Sequence, residues 1–256
     1  MKKIVLTSLA TATLLLADDP TMGLNLGPDD KMTASVNFGY ISTQGNTETT
    51  TYAADGKIKK GFSKHLFELS FDGQYASETD LITDVENETK NKYFVELEYN
   101  YEFTDRFAIG YLSGFTQDRF SSYDYQSYTG PGAKYKVIKS DIHNLTLEGN
   151  MLYARDKYKD LMPDKDTAIN SYASLRVKGV YAWQVLENLG FTQELTYRTD
   201  VEDTELYFAY SKTELKSKIS DMFSAGLSYK LDYVNIILPG MEHSDTTLTA
   251  TLGIDY

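Results

Sequence analysis

The strongest constraint in this sequence is a two-residue alternation of apolar and polar side chains between residues 93 and 103, interrupted in this segment by Phe94. Successive side chains of a β-strand point to opposite faces of a sheet, whereas a helix repeats every 3.6 residues. Carboxylates occupy most of the positions between the apolar ones. The apolar set is Tyr93, Val95, Leu97, Tyr99, Tyr101 and Phe103. The segment is therefore predicted to be a strand with one apolar face and one charged face.

The same alternation recurs along the chain from about Met32 onward and predicts twelve strands. Most of them have about 11 to 15 residues, which is enough to cross a bilayer at a tilt. The segment 205–218 is the least regular because apolar residues occupy both of its faces, and a register break or bulge is expected there. The predicted ranges are 31–43, 48–60, 65–76, 93–103, 106–117, 124–138, 145–156, 171–183, 189–199, 205–218, 222–233 and 247–256.

Aromatic residues are abundant, with 21 Tyr and 12 Phe against a single Trp. This composition favours pleated, half-buried surfaces over helices. Aromatic residues near strand ends, among them Tyr123 and Tyr158, are predicted to form girdles at two membrane interfaces.

The connections between the predicted strands alternate in length. Those that follow even-numbered strands are short, and several that follow odd-numbered strands are longer, as in 77–90, 157–170 and 234–244. Outer-membrane barrels have short periplasmic turns and longer outer loops, whereas a soluble barrel or sandwich has no reason to sort its connections by length. The pattern predicts a single antiparallel transmembrane β-barrel over residues 31–256, with both termini in the periplasm.

The N-terminus has the three parts of a secretory signal peptide. Two lysines precede an apolar stretch from residue 4 to residue 16, and the small residue Ala17 follows it. A stretch of about 13 apolar residues is shorter than the roughly 20 that a spanning helix needs, which disfavours a membrane anchor. Residues 1–17 are predicted to be a cleaved signal peptide and residues 18–30 a short lead.

The C-terminal strand carries a second indication of membrane insertion. Apolar residues occupy every second position, and the chain ends on an aromatic residue. This set consists of Leu248, Ala250, Leu252, Ile254 and Tyr256. It resembles the terminal strand by which outer-membrane barrels are recognised for assembly, so the barrel-assembly machinery is a predicted partner. The alternative is an ordinary amphipathic strand at the chain end.

The chain is acidic, with 25 Lys and Arg against 37 Asp and Glu. Nucleic acid is therefore not a predicted partner, because phosphate binding requires basic surface. Many of the acids lie in the predicted loop 77–90, namely Glu78, Asp80, Asp84, Glu86 and Glu88. The plain interpretation is a solvated loop. The alternative is that these carboxylates bind divalent cations that bridge to lipopolysaccharide phosphates, or that they repel anions, so outer-membrane lipid and lipopolysaccharide are predicted partners.

The polar strand faces are predicted to line the barrel interior with charges of both signs. The candidates are Glu96, Glu98, Glu102, Lys134, Lys136, Glu148, Arg176, Lys178, Glu194, Arg198, Lys230 and Asp232. Side chains fill an eight-stranded barrel, and much larger barrels leave an aqueous channel. A barrel of twelve strands has a size between the filled eight-stranded barrels and the large barrels with an aqueous channel. Either ion pairs fill the lumen, or charged walls line a narrow channel and set its selectivity.

Two short motifs carry a family resemblance. They are Ser42-Thr43-Gln44-Gly45-Asn46-Thr47 and Tyr128-Thr129-Gly130-Pro131-Gly132-Ala133-Lys134-Tyr135. On the basis of these motifs, the chain resembles the YdiY-like family of salt-stress-induced outer-membrane proteins, whose domain has no known function. The resemblance extends from about Met32 to Tyr256. The resemblance implies an outer-membrane barrel linked to salt or osmotic adaptation and supplies no catalytic residues. Pro131 departs from the family pattern, and Gly45-Asn46 also suits an ordinary hairpin turn.

Residues suited to catalysis are few. Cysteine is absent, which excludes a thiol nucleophile and a thiolate metal site. The last long loop contains Glu242, His243, Ser244 and Asp245, which are the residue types of a hydrolase triad, but neighbours in sequence rarely point at one another as a triad requires. No catalytic residue, metal or cofactor is therefore predicted, since metal-spaced histidines and phosphate-binding glycine loops are also lacking.

The sequence thus predicts a non-enzymatic outer-membrane β-barrel that acts as an envelope stabiliser or a narrow passive channel. Two alternatives from other classes are an outer-membrane lipid hydrolase centred on His243 and a soluble periplasmic ligand-binding barrel.

Overall fold

The computed structural model describes residues 32–43, 47–80, 85–159 and 169–255. The predicted signal peptide 1–17, the lead 18–30, Asp84 and Tyr256 lie outside these ranges. Within them the chain forms a closed antiparallel barrel. Its strands are β1 (Met32–Thr43), β2 (Thr47–Phe62), β3 (His65–Asp80), β4 (Val85–Glu102), β5 (Phe107–Asp118), β6 (Tyr123–Lys139), β7 (His143–Tyr158), β8 (Ile169–Leu186), β9 (Leu189–Asp200), β10 (Tyr207–Lys218), β11 (Phe223–Val234) and β12 (Ser244–Asp255).

The barrel closes between the first and the last strand. β1 runs antiparallel to β12, with Asn37 opposite Gly253 and Phe38 opposite Leu252. Each of the other strands pairs with its two neighbours in the chain, so the sheet has no unpaired edge. The predicted all-β barrel of twelve strands is confirmed. Among the described residues, no helix is long and apolar enough to cross a membrane.

The two ends of the barrel differ in their connections. One end, the turn end, carries Met32, Asp255 and the connections 63–64, 103–106, 140–142, 187–188 and 219–222. The opposite end, the loop end, carries residues 119–122, 201–206 and 235–243. The last residues of β1, β3 and β7 also lie at this end, and residues 44–46, 81–84 and 160–168, which follow them, are outside the described residues.

The predicted acidic loop 77–90 is largely strand, which corrects the sequence interpretation. β3 continues to Asp80 and β4 begins at Val85, so Glu78, Asp80, Glu86 and Glu88 belong to a paired hairpin. Glu78 lies opposite Asn87, and Glu86 lies opposite Thr79, so these two carboxylates point to different faces. Backbone pairing continues although the apolar alternation stops, because hydrogen bonds between strands do not depend on side-chain polarity.

β10 shows no register shift against either neighbour, so the expected break in 205–218 is wrong. Register shifts occur instead between β3 and β4, between β6 and β7, and between β8 and β9. The inner face of β10 is apolar near the loop end because Phe208 packs into a cluster inside the barrel. This strand therefore has apolar residues on both faces, because its inner face meets the cluster inside the barrel and its outer face is part of the apolar outside of the barrel.

The outer face of the barrel is apolar. Leu97 is 57% exposed, Met151 68% and Leu252 67%. The apolar members of the predicted assembly signature that the structure describes, Leu248, Ala250, Leu252 and Ile254, also point outward, while Thr249 and Thr251 are buried on the inner face. Large apolar side chains thus cover the outside, and polar ones fill the inside.

Candidate functional site

The inner face of the wall is the candidate site, because it gathers most of the buried charge of the protein. All twelve side chains predicted to line the lumen lie on this face, and each one either is buried or takes part in an ion pair there. The buried members are Glu96, Glu102, Glu148, Arg176, Arg198 and Lys230. The paired members with more exposure are Glu98, Lys134, Lys136, Lys178, Glu194 and Asp232.

One side of the lumen is filled by a network that we call the ionic cluster, consisting of Glu96, Glu98, Glu102, Lys134, Lys136, Glu148 and Arg176. Lys134 Nζ lies 2.5 Å from Glu98 and 3.5 Å from Glu148, and Lys136 Nζ lies 3.0 Å from Glu102. Lys134 and Lys136 on β6 thereby pair with carboxylates of β4, two strands away, and Lys134 also pairs with Glu148 on the adjacent β7. A buried charge is tolerated only when it is paired and hydrogen-bonded, which these contacts provide.

Arg176 holds the centre of the ionic cluster. Its Nη1 donates to Glu148 Oε1 at 2.8 Å and to Asn150 Oδ1 at 2.9 Å, and its Nη2 lies 3.4 Å from Glu96 Oε2. Glu96 also accepts a hydrogen bond of 2.7 Å from the Tyr128 hydroxyl. The guanidinium therefore ties β8 to β7 and, across the interior, to β4.

A second set of ion pairs crosses the lumen on the opposite side. Lys92 Nζ lies 2.7 Å from Asp232. Lys212 and Lys230 approach Asp55 at 3.3 and 3.6 Å, and Lys230 also forms an ion pair with Asp72. These contacts join β10 and β11 to β2, β3 and β4, so they limit the width of any passage.

A continuous cavity of about 1370 Å³ runs along this side of the barrel. Thr33 and Lys218 line it near the turn end, and Gly240 and His243 line it near the loop end. Ten Lys and Arg side chains face it together with eleven Asp and Glu, so its charge is nearly balanced although the whole chain carries −12. The cavity can therefore hold water and small polar solutes of either sign.

The connection between β11 and β12, residues 235–243, folds back into the loop end, and we call it the mouth loop. Leu238 packs against Tyr123 and Tyr158, which are 1% and 2% exposed. The Leu238 amide donates to Ser122 Oγ at 2.9 Å. Tyr123 and Tyr158 are therefore buried inside the barrel. The sequence-based prediction that they belong to an interfacial girdle is wrong. The mouth loop narrows the entrance without filling it, because Gly240 and His243 still line the cavity.

Lys159 fixes the neighbouring connection at the loop end. Its Nζ donates to the carbonyls of Ser121 at 2.8 Å and Asp118 at 3.3 Å, and also to that of Arg119. Partial desolvation lowers the pKa of Lys159 below its ordinary value. Ser122, which holds the mouth loop, lies in the connection fixed in this way.

Several functional residues were not among the predicted lumen set. Asp55 and Asp72 accept the crossing lysines, and Lys92 and Lys212 supply two of them. Asp55 and Asp72 each lie between two nonpolar residues, as the alternation of an inner face predicts, whereas Lys212 lies between Ser211 and Thr213. The sequence could place these side chains on the inner face, but it could not show which of them meet.

The residues around His243 do not form a triad. His243 Nδ1 lies 2.9 Å from the Val234 carbonyl oxygen, which can only accept, and the ring stacks on Tyr233 with centroids 5.7 Å apart. Glu242, Ser244 and Asp245 are exposed. In the described part of the chain, no group of three or more His, Asp or Glu side chains is arranged to hold a metal ion.

Comparison with known proteins gives a family without an established function. The chain is 26% identical to the uncharacterized protein YdiY of Escherichia coli (strain K12), over 94% of this chain and 96% of that protein. The resemblance read from the two sequence motifs is thereby confirmed.

Similar solved structures include two porins and an autotransporter domain. The NanC porin in a rhombohedral crystal form is 12% identical, with a TM-score of 0.49, over 87% of this chain and 98% of that one. The KdgM porin is 14% identical, with a TM-score of 0.44 and the same coverage. The translocator domain of the autotransporter NalP from Neisseria meningitidis is 9% identical, with a TM-score of 0.45, over 88% of this chain and 87% of that one. The family model described as "Protein of unknown function, DUF481" matches residues 36–256, and the chain belongs to that family.

Proposed function

We propose that this protein is a β-barrel of the bacterial outer membrane that acts as a narrow passive channel for small polar solutes. The observation that carries the proposal is the single cavity that is lined by residues of both barrel ends, from Thr33 to His243. A lumen packed throughout by side chains would have no such passage. The polar lining supports aqueous solutes as the cargo.

Placement in a membrane is supported by the outer face. Side chains such as Leu97 and Leu252 are more than half exposed, and water would hydrate this apolar surface at a high cost. A closed barrel satisfies every strand hydrogen bond internally, which lipid demands. In barrels of this class the short turns face the periplasm, so the turn end, with both chain ends, is proposed to lie there and the loop end outside.

The ion pairs support a narrow channel. The ionic cluster fills one side of the barrel, and the Lys92–Asp232 pair crosses the other side at 2.7 Å. Solutes would pass between charged walls of both signs, so size and hydration are expected to select more strongly than net charge.

A non-enzymatic role is supported by the contacts of His243, whose Nδ1 is occupied by a backbone carbonyl. The link to salt or osmotic adaptation that the family resemblance implies belongs to this proposal as its physiological setting. Contact between lipopolysaccharide and the acidic hairpin of β3 and β4 is proposed as a further property of the loop end.

The test is conductance of the purified, refolded protein in planar lipid bilayers at low and at high salt. Folding is checked first by the different migration of boiled and unboiled samples in a detergent gel. Discrete current steps are expected. A folded protein that remains silent under both conditions contradicts the channel and leaves the envelope-stabilising role.

A matched pair of variants ties the current to the cavity. Thr196 lines the cavity, and its chain neighbour Leu195 points outward with 55% exposure. Thr196→Trp is expected to lower the step size, because the indole occupies the passage. Leu195→Trp adds the same ring to the lipid face and is expected to leave the step size unchanged. Equal effects of the two variants would argue against conduction through this cavity.

A further inference from the structure

We propose that Arg198 is the anchor of a binding site inside the lumen for a carboxylate that is carried on an apolar or aromatic body. The inference deepens the proposed function, since a solute would reach Arg198 through the cavity that Arg198 lines. Organic carboxylates are thereby proposed as a class of solute that binds at a specific site within the passage.

The first observation is the setting of the guanidinium. Its Cζ lies 4.3 Å from the centroid of the Phe208 ring and 5.2 Å from that of Tyr128. Arg198 is only 7% exposed. Two rings therefore fix the plane of the group, and a planar, preorganised fork is the geometry that binds carboxylates bidentately.

The second observation is unused hydrogen-bonding capacity. A guanidinium has five N–H donors. Nη1 donates to the Tyr172 hydroxyl at 3.2 Å, and Nη2 lies 3.9 Å from Asp156 Oδ1, which is beyond hydrogen-bond distance. Within the described ranges the Arg198 side chain makes no other hydrogen bond. Arg198 lines the cavity, so most of its donors are free to pair with a carboxylate that arrives there.

The third observation is a second arginine directly beside the first. Arg176 on β8 is the register partner of Arg198 on β9, and both side chains face the cavity. Like charges directly opposite on neighbouring strands destabilise a sheet. Arg176 is compensated by Glu96 and Glu148, whereas the nearest carboxylate of Arg198 is Asp156 at 3.9 Å. An anion at Arg198 would complete the compensation of the pair.

The apolar surroundings define the rest of the solute. Phe208 and Ile237, which are partly exposed, line the same cavity near the loop end. A bare inorganic anion would leave these surfaces without a partner, while a ring or short aliphatic chain would cover them. The site therefore fits an organic carboxylate with an apolar body better than phosphate or chloride.

The experiment is calorimetric titration of the refolded full-length protein in detergent with benzoate, benzamide and acetate. Benzoate is expected to bind with one site per chain. Benzamide lacks the charge and acetate lacks the ring, so each is expected to bind at least about tenfold more weakly, as the loss of a charged hydrogen bond or of a buried ring implies. Benzamide binding as tightly as benzoate overturns the anion site, and acetate binding as tightly overturns the apolar part.

Variants test the anchor itself. Arg198→Lys keeps the charge and removes the fork, and about tenfold weaker benzoate binding is expected. Asp156→Asn removes the competing carboxylate and is expected to strengthen benzoate binding. Lys218→Gln removes a cation that lines the same cavity near the turn end and is expected to leave binding unchanged. Unchanged affinity in Arg198→Lys contradicts the assignment, and if that variant fails to fold, the comparison of benzoate with benzamide on the unaltered chain decides.

This result is independent of the channel test. Conduction without benzoate binding removes the site and leaves the channel, while benzoate binding to a protein that stays silent in bilayers removes the channel and leaves the site.

Discussion

Lys92 on β4 and Asp232 on β11 meet at 2.7 Å across the inside of the barrel, with β12, β1, β2 and β3 between their strands along the wall. The pair therefore joins two strands that are not neighbours in the barrel wall. It acts as a strut that narrows the passage, and it joins two parts of the chain that are 140 residues apart.

Removing both ends of this strut should widen the passage. We expect the double variant Lys92→Ser/Asp232→Ser to show larger current steps than the unaltered protein, because two long or charged side chains leave the lumen together and no unpaired charge remains. Single-channel recording measures the change. The ion pair of Lys157 with Asp124, whose side chains are 40% and 45% exposed, provides the control, and its double serine variant should conduct as before.

Selectivity should respond to Asp55, which faces both Lys212 and Lys230. Asp55→Asn leaves the two lysines in the lumen with less compensation, so the reversal potential under a salt gradient should move toward anion preference. Asp105→Asn removes a carboxylate that is 91% exposed at the turn end and should change little. A shift toward cations in Asp55→Asn would contradict the proposed role of this carboxylate.

The mouth loop should loosen when its apolar anchor is shortened. Leu238 is 8% exposed between Tyr123 and Tyr158, and truncation of a buried leucine to alanine typically costs about 2–5 kcal/mol. We expect Leu238→Ala to make residues 235–243 sensitive to limited proteolysis while the barrel itself stays intact. Met222→Ala, a truncation of a 40% exposed side chain at the other end, should not have this effect. Equal resistance of both variants would show that Leu238 does not hold the loop.

The ionic cluster should depend on its arginine. Arg176→Met leaves Glu96 and Glu148 buried without their guanidinium, and breaking a buried ion pair in this way costs about 3–5 kcal/mol. Urea unfolding in lipid vesicles, followed by the fluorescence of the single tryptophan, Trp183, measures the free energy of unfolding. Lys139→Met breaks a more exposed pair with Asp105, at 3.7 Å, and should cost less than about 1 kcal/mol.

A charge on the outer face separates a membrane barrel from a soluble one. Leu97 lies on β4 opposite Ser113, near the middle of β5, and is 57% exposed. In a bilayer, Leu97→Arg should lower the free energy of unfolding by about 2–4 kcal/mol, because the charge meets hydrocarbon. Leu97→Val serves as the apolar control. If the arginine variant instead leaves stability in vesicles unaltered, or raises solubility without detergent, the outer face does not contact lipid.

The sequence by itself determined which segments are strands and which face of each strand is apolar. The alternation from Tyr93 to Phe103 needs no tertiary information, because the pleat alone sends successive side chains to opposite sides. Twelve such segments predicted the barrel, and the inward positions of Glu96, Arg176 and Lys230 followed. Where the alternation fades, as around Glu78 and Glu86, the same reasoning predicted a loop although the backbone pairing continues.

Tertiary structure alone decided which inward side chains meet and what closes the loop end. The partner of Lys92 depends on barrel closure, strand tilt and the reach of side chains across the lumen. The alternation of apolar and polar residues predicts none of these properties. Tyr123 and Tyr158 lie near strand ends in the sequence, which is typical of interfacial aromatic residues. Residues 235–243 fold back into the barrel and bury them there. Such contacts form because the closed barrel wall brings segments that are distant in sequence into one enclosed space. The local pattern of a strand does not predict which side chains lie opposite it across that space.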